Sequence, residues 1–213
     1  MLNASHLPTY LVKRYQGWKA TTWAENKAWY RRLAEDGQRP RVMVISCCDS
    51  RVHVTSIFGA DQGEFFIHRN IASLVPPFGP SGDYHGTSAA VEYAVKHLKV
   101  AHLIVLGHSS CGGVQACRDM CSGQAPELAE DTSFIGRWID ILRPGFERLG
   151  EAGNDLQTLE REAVLISLEN LMTFPFVRDA VEAERLSLHG LYTDIGEGGL
   201  EVYDAKVERF SPI

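Results

Sequence analysis

The chain has 213 residues, of which 45% are hydrophobic and 23% charged, values that suit one globular domain with a sizeable core. A formal charge of -6 argues against a protein built around a broad basic face for nucleic acid. No stretch reaches the roughly 18 apolar residues of a membrane span, and the first residues lack the apolar core of a signal peptide, so the expected compartment is the cytosol.

Residues 8–36 read as a helical arm whose apolar positions are mostly aromatic: Trp18, Trp23, Trp29, Tyr30 and Leu33. Asp36-Gly37 closes it and Pro40 prevents a restart. Residues 42–45, Val-Met-Val-Ile, form the short apolar run of a strand buried in a parallel sheet. A second strand is expected over 63–68 and a helix over 86–98, with Ala90, Val91, Ala94 and Val95 as its apolar stripe. A third strand covers 102–106, and a helix starts near Gly113. Helices follow over 126–143, 160–172 and 175–185, and 119–131 reads as a surface loop. Two strands, 188–194 and 200–204, close the chain as an antiparallel hairpin around Gly196, Gly198 and Gly199. The alternation predicts an α/β fold: a central, mostly parallel sheet with flanking helices, an N-terminal helical arm and a C-terminal antiparallel hairpin. Nothing rich enough in Ser, Gly or Pro splits the chain, so 1–213 is expected to be a single domain with 1–36 as its arm.

The five cysteines, Cys47, Cys48, Cys111, Cys117 and Cys121, are odd in number and irregular in spacing. In a reducing compartment that pattern means metal ligands or small buried hydrophobes rather than a disulfide framework. Ligand sites in open α/β sheets gather at the carboxyl ends of strands. Two segments place metal-capable side chains there: Cys47-Cys48-Asp49-Ser50-Arg51, and His108-Ser109-Ser110-Cys111-Gly112-Gly113. Either alone is most simply a buried cysteine or a core histidine. Together they offer thiolate and imidazole donors in the number zinc uses when a fourth position is left for water or substrate. Cys47 and Cys48 point opposite ways along an extended chain, so one of the two reaches the metal. Cys117 and Cys121, four apart, share a helix face and are expected to be packed rather than to bind a second ion.

These motifs resemble the beta-class carbonic anhydrases, whose patterns Cys-x-Asp-Ser-Arg and His-x-x-Cys-Gly-Gly stand here at 47–51 and 108–113. The similarity continues through Gly63-Glu64, His68-Arg69-Asn70-Ile71-Ala72, Glu92-Tyr93-Ala94-Val95 and His189-Gly190-Leu191-Tyr192-Thr193-Asp194. The resemblance implies one zinc per chain on Cys47, His108 and Cys111, with Cys48 a bystander. It implies reversible hydration of carbon dioxide to bicarbonate by zinc-bound hydroxide, oriented by Asp49, with Arg51 holding that carboxylate. Gln38 matches a substrate-binding amide, and Phe66, Ile71 and Tyr93 an apolar wall partly supplied across a dimer. Gly112 matches a backbone contact beside the metal. The proton acceptor is not legible; Tyr93, His53 and external buffer are the choices. Homodimers or multiples of them are implied, with a small-molecule substrate and neither nucleic acid nor membrane as partner.

Some family members carry a Trp three residues before the ligand cysteine and close the zinc with the aspartate. Here that position is Val44, and Leu74-Val75-Pro76-Pro77-Phe78 resembles the plant-like branch, whose zinc stays open. Two alternatives share the ligands: hydrolysis of carbon disulfide on the same scaffold, and a non-catalytic zinc-binding regulator, which would have no use for the Asp49–Arg51 pair. A zinc alcohol dehydrogenase would need Gly-x-Gly-x-x-Gly after a strand, and a zinc deaminase His-x-Glu with Pro-Cys-x-x-Cys; neither is present.

Overall fold

The computed structural model describes residues 4–79 and 85–213; the first three residues of the arm lie outside them. The chain divides into two compact units, one ending at Arg39 and one spanning Pro40–Ile213.

The first unit is helical but not one continuous helix. Helix α1 (Thr9–Trp18) runs into a wider π-helical turn, Lys19–Trp23, and α2 spans Lys27–Asp36. The break falls at Asn26, at φ -105° and ψ 18°. Its side-chain amide donates to the Thr22 carbonyl at 2.9 Å, the local competition by which Asn interrupts helices. Gly37, at φ +71°, ends the unit's last helix in a conformation that favours glycine. No residue of α1 or α2 is buried.

In the second unit β1 (Val42–Cys47) is followed by a short helix α3 (Val54–Phe58), which the sequence reading did not anticipate, and by β2 (Phe65–Asn70). Helix α4 (Gly86–Glu92) continues through a π-helical turn, Tyr93–Leu98, to β3 (His102–His108) and α5 (Gly112–Cys121). The helix expected over 126–143 is broken into a 3-10 turn at Pro126–Ala129, α6 (Phe134–Ile139), a second 3-10 turn and α7 (Arg143–Leu149). Ser133 starts α6 afresh, its hydroxyl accepting the Gly136 N–H at 2.9 Å. Gly136 sits so close to the Leu128 backbone that a Cβ would stand 1.6 Å from the carbonyl oxygen. The expected loop at 119–131 begins inside α5 and contains the 3-10 turn.

Helix α8 (Leu156–Thr173) starts earlier than expected because Asp155 caps it, accepting the Thr158 N–H at 2.8 Å. Helix α9 (Pro175–Glu182) follows directly. Strands β4 (Ser187–Thr193), β5 (Leu200–Asp204) and β6 (Arg209–Pro212) end the chain. The last of these turns the expected hairpin into a three-stranded meander; its four residues carry too little pattern to be seen in sequence.

The sheet order is β2-β1-β3-β4-β5-β6. The first four strands pair in parallel and the last two add antiparallel. Met43, Ile45, Leu103 and Val105 pack on one side with Val91, Ala94 and Val177, while Val44 and Leu106 join Val52 and Val54 in another cluster. Both faces of the central strands are covered, which is why β1 reads as an unbroken apolar run. Helix α8 lies against β3 and β4 where those strands carry glycine. A Cβ at Gly107 would stand 2.6 Å from Val164 Cγ2, and one at Gly190 2.9 Å from Leu168 Cδ1.

Candidate metal centre

Strands β1 and β3 are neighbours in register, so their carboxyl ends place Cys47 and His108 side by side. Cys111 precedes the first turn of α5. All three are buried, their ligand atoms lie within 4.8 Å of one another, and the two sulfurs are 4.0 Å apart. Zinc–sulfur bonds of about 2.3 Å at a tetrahedral angle would separate two sulfurs by about 3.8 Å, so the spacing fits the ion. His108 Nδ1 donates to the Ser109 carbonyl at 2.9 Å. That bond leaves Nε2 as the bare nitrogen, buried and without a hydrogen-bond partner, as a metal-ligating imidazole requires.

The hydrogen bond from Cys111 lowers the pKa of the Cys47 thiol, against the opposing effect of burial. Backbone N–H groups of Asp49 and Ala72 support the same charge. Cys111 is driven the other way, first by that shared hydrogen bond and then by burial and the negative charge on Cys47. The two sulfurs, 4.0 Å apart, oppose each other's ionisation. A dication among them would favour loss of both protons.

Asp49 stands just beyond β1. Arg51 grips it with Nε to Oδ1 at 3.0 Å and Nη2 to Oδ2 at 2.7 Å, and its backbone N–H adds a bond to Oδ1 at 2.9 Å. These bonds hold the Asp49 carboxyl far below the usual carboxylate range. Arg51 Nη2 also donates to the Ser110 carbonyl at 3.0 Å, joining the two motif segments. Ser110 has φ +57°, an uncommon conformation for a residue with a side chain, and this contact helps to hold it.

The other expected pocket residues are spread more widely. Ile71 packs against the start of α5, its Cγ2 2.6 Å from where a Gly113 Cβ would be. Gly112 is the first residue of α5. Phe66 and Tyr93 meet each other with ring centroids 5.8 Å apart, and Tyr93 stacks on His97. Gln38 is exposed and belongs to the first unit. His53 Nδ1 lies within hydrogen-bonding distance of the Thr55 and Ser56 hydroxyls, at 2.9 and 3.0 Å. Cys48 is exposed, and Cys117 and Cys121 lie 3.9 Å apart with Cys117 fully buried in the core.

Two positioning residues went unread in the sequence. Arg69 bonds the carbonyls of Cys47, Asp49 and Val52 at 2.9, 2.7 and 2.8 Å, clamping the loop after β1. Glu160 on α8 accepts the Cys111 N–H at 2.7 Å, and burial pushes its carboxyl pKa up. Arg69 lies in a stretch that carries the family resemblance, whereas Glu160 is one glutamate among several on a helix that carries no motif. A cleft of about 490 Å³ lined by Lys96, Lys99, Phe176 and Arg185 lies at the amino ends of β3 and β4, away from all of these residues.

The family model for carbonic anhydrase matches residues 42–200. Beta carbonic anhydrase 3 of Arabidopsis thaliana is 35% identical over 192 residues, covering 87% of this chain and 72% of that protein. The solved structure of the beta-carbonic anhydrase CcaA superposes with a TM-score of 0.82 at 27% identity, covering 96% of this chain and 91% of that one. A structure from a study of two tetrameric beta-carbonic anhydrases of Sordaria macrospora gives a TM-score of 0.72 at 28% identity, covering 91% of this chain and 94% of that one.

Proposed function

This chain belongs to the beta-class carbonic anhydrase family, a zinc-dependent carbonate dehydratase, and from that premise we propose how its residues divide the work. Cys47, His108 and Cys111 hold the metal, and Asp49, kept in place by Arg51, orients the attacking water. The observation that carries this reading is the buried two-sulfur, one-imidazole cluster with an Arg-clamped carboxylate beside it.

Zinc, when bound, supplies a Lewis acid that brings the pKa of a water toward neutrality. Two thiolates and a neutral imidazole cancel its charge, so help from neighbouring groups is useful. An ionised carboxylate only accepts hydrogen bonds. Asp49 therefore takes the proton side of the attacking oxygen and leaves a lone pair turned to the carbon of carbon dioxide. Water adds to carbon dioxide to give bicarbonate, and one proton leaves to Tyr93, His53 or buffer. Ile71, Phe66 and Tyr93 supply apolar surface for carbon dioxide, and the Gly112 backbone lies beside bicarbonate. Asp49, engaged by Arg51, would be kept from serving as a further ligand to the metal that Cys47, His108 and Cys111 would hold, in keeping with Val44 and the plant-like 74–78 run.

We also read the chain as one domain with its arm, working in the cytoplasm as a homodimer or a multiple of one. No helix among the described residues is long and apolar enough to cross a membrane. The test is stopped-flow hydration of carbon dioxide by zinc-loaded protein from about pH 6.5 to about 9, bracketing a metal-bound water pKa near 7. Activity rising smoothly with pH, and lost in Cys47→Ser, supports the reading. A sharp shut-off below about pH 8 would point instead to Asp49 closing the metal, and no hydration at any pH would sink the assignment.

A further inference from the structure

Glu160 is a charged side chain in an apolar place. It is 1% exposed, on α8, between residues that pack in the cluster around Leu159, Ala163 and Val114. A carboxylate buried this way is costly unless both oxygens find donors. Both do: Oε1 accepts the Cys111 N–H at 2.7 Å and Oε2 accepts the Tyr192 hydroxyl at 2.8 Å. Nothing in the reaction described above uses it.

We propose that Glu160 is the positioning residue for the Cys111 sulfur, fixing by its hydrogen bond to the Cys111 backbone the turn that delivers this ligand to zinc. The inference rests on the reading of Cys47, His108 and Cys111 as the metal ligands. The turn from His108 to Cys111 passes through left-handed Ser110, so it does not hold its shape by local preference. It is gripped at three successive residues, from β4, from the loop after β1 and from α8. Ser109 N–H bonds the Thr193 carbonyl at 3.0 Å, Arg51 bonds the Ser110 carbonyl, and Glu160 bonds the Cys111 N–H. Only the last acts on the ligand residue itself.

Glu160 is braced in turn. The Arg161 guanidinium lies 4.1 Å over the Tyr192 ring and makes two 2.9 Å bonds to Glu201 on β5. Without the carboxylate, the Cys111 N–H would be left buried and unpaired, and the turn would shift to satisfy it. A ligand displaced by a fraction of an ångström weakens its bond to the metal.

The test is zinc affinity by competition with a chromogenic chelator, together with the thiolate-to-metal absorption band of cobalt-substituted protein. Glu160→Ala should weaken zinc about tenfold or more and shift the cobalt band. Glu160→Gln should recover most of the affinity, because its amide oxygen still accepts the Cys111 N–H and its NH₂ donates to the Tyr192 oxygen. Glu160→Asp keeps the charge but draws the acceptor back by one methylene, so it should weaken zinc as the alanine variant does. It also serves should the alanine variant fail to fold. Leu171→Ala, fully buried on the same helix, controls for lost stability: it should lower the melting temperature and leave zinc affinity and the cobalt band unchanged. Wild-type affinity and band in Glu160→Ala or Glu160→Asp would overturn the proposal, as would a glutamine variant no better than alanine. A wild-type protein that takes up no zinc would instead overturn the metal reading, before any variant is compared.

Discussion

The Asp49–Arg51 pair shows how neighbouring side chains set one another's state. Arg51 is half exposed, so the pair adds little to stability, yet three hydrogen bonds from one residue leave Asp49 a single committed orientation. Its folded pKa lies below the unfolded value. The stability it contributes is therefore fully present above the ordinary carboxylate pKa of about 3.9 and is lost as pH falls through the depressed value. Melting curves of Asp49→Asn and wild type should differ by a small, constant amount from neutral pH down to about 5, and should begin to converge below about 4, closing only as pH falls to the depressed value. The same variant should lose about 10- to 100-fold in turnover with unchanged zinc content. Wild-type turnover in Asp49→Asn would show that the carboxylate only ties down the loop.

At the scale of elements, the metal cluster depends on how closely α8 can approach β3 and β4. Gly107 precedes the ligand His108, and only its missing side chain lets Val164 reach the strand. The nearest atom is a methyl of a β-branched side chain, 1% exposed, with little freedom to turn aside. Gly107→Ala should thus cost about 1–3 kcal/mol in urea denaturation, the usual penalty of overpacking. Gly112→Ala, where a Cβ meets nothing within 4 Å, should be close to neutral in the same experiment. Equal stability of the two variants would mean that α8 slides freely on the sheet. The residue pattern gave no warning of this contact: a glycine in a strand signals close approach, but not what approaches.

For the whole molecule, the exposed aromatic residues of the arm bear on assembly. Tyr10 is 60% exposed, Tyr15 55%, and Trp18 and Trp29 each 41%, an aromatic surface uncommon for a chain working alone. Sedimentation should find the full chain as a dimer or a multiple of one, and removal of residues 1–36 should lower that mass. The Pro40–Ile213 unit has its own core clusters and should still melt cooperatively after the removal. A full chain that sediments as a monomer would remove the assembly reading.

The residue pattern carries the parallel centre of the fold and the donor types of the metal cluster, while the choice of Cys47 over Cys48 comes from the family motif. Both are written in local signals: unbroken apolar runs for doubly covered strands, and Cys, His, Asp and Arg in short motifs at their ends. It also fixed the closing β4–β5 pair through its glycine turn. Only the tertiary structure decided what depends on distance across the chain. The break-up of 126–143 into short pieces follows from a backbone contact between Gly136 and Leu128, which no periodicity encodes. Strand β6 pairs with β5 so that Phe210 meets Tyr203 across the sheet edge. Arg69 and Glu160 acquire their roles from three loop carbonyls and one backbone N–H that folding brings to them. A ligand's identity is chemical and can be read from its letter. The holding of a ligand in place is geometric, and it comes from residues whose letters carry no such mark.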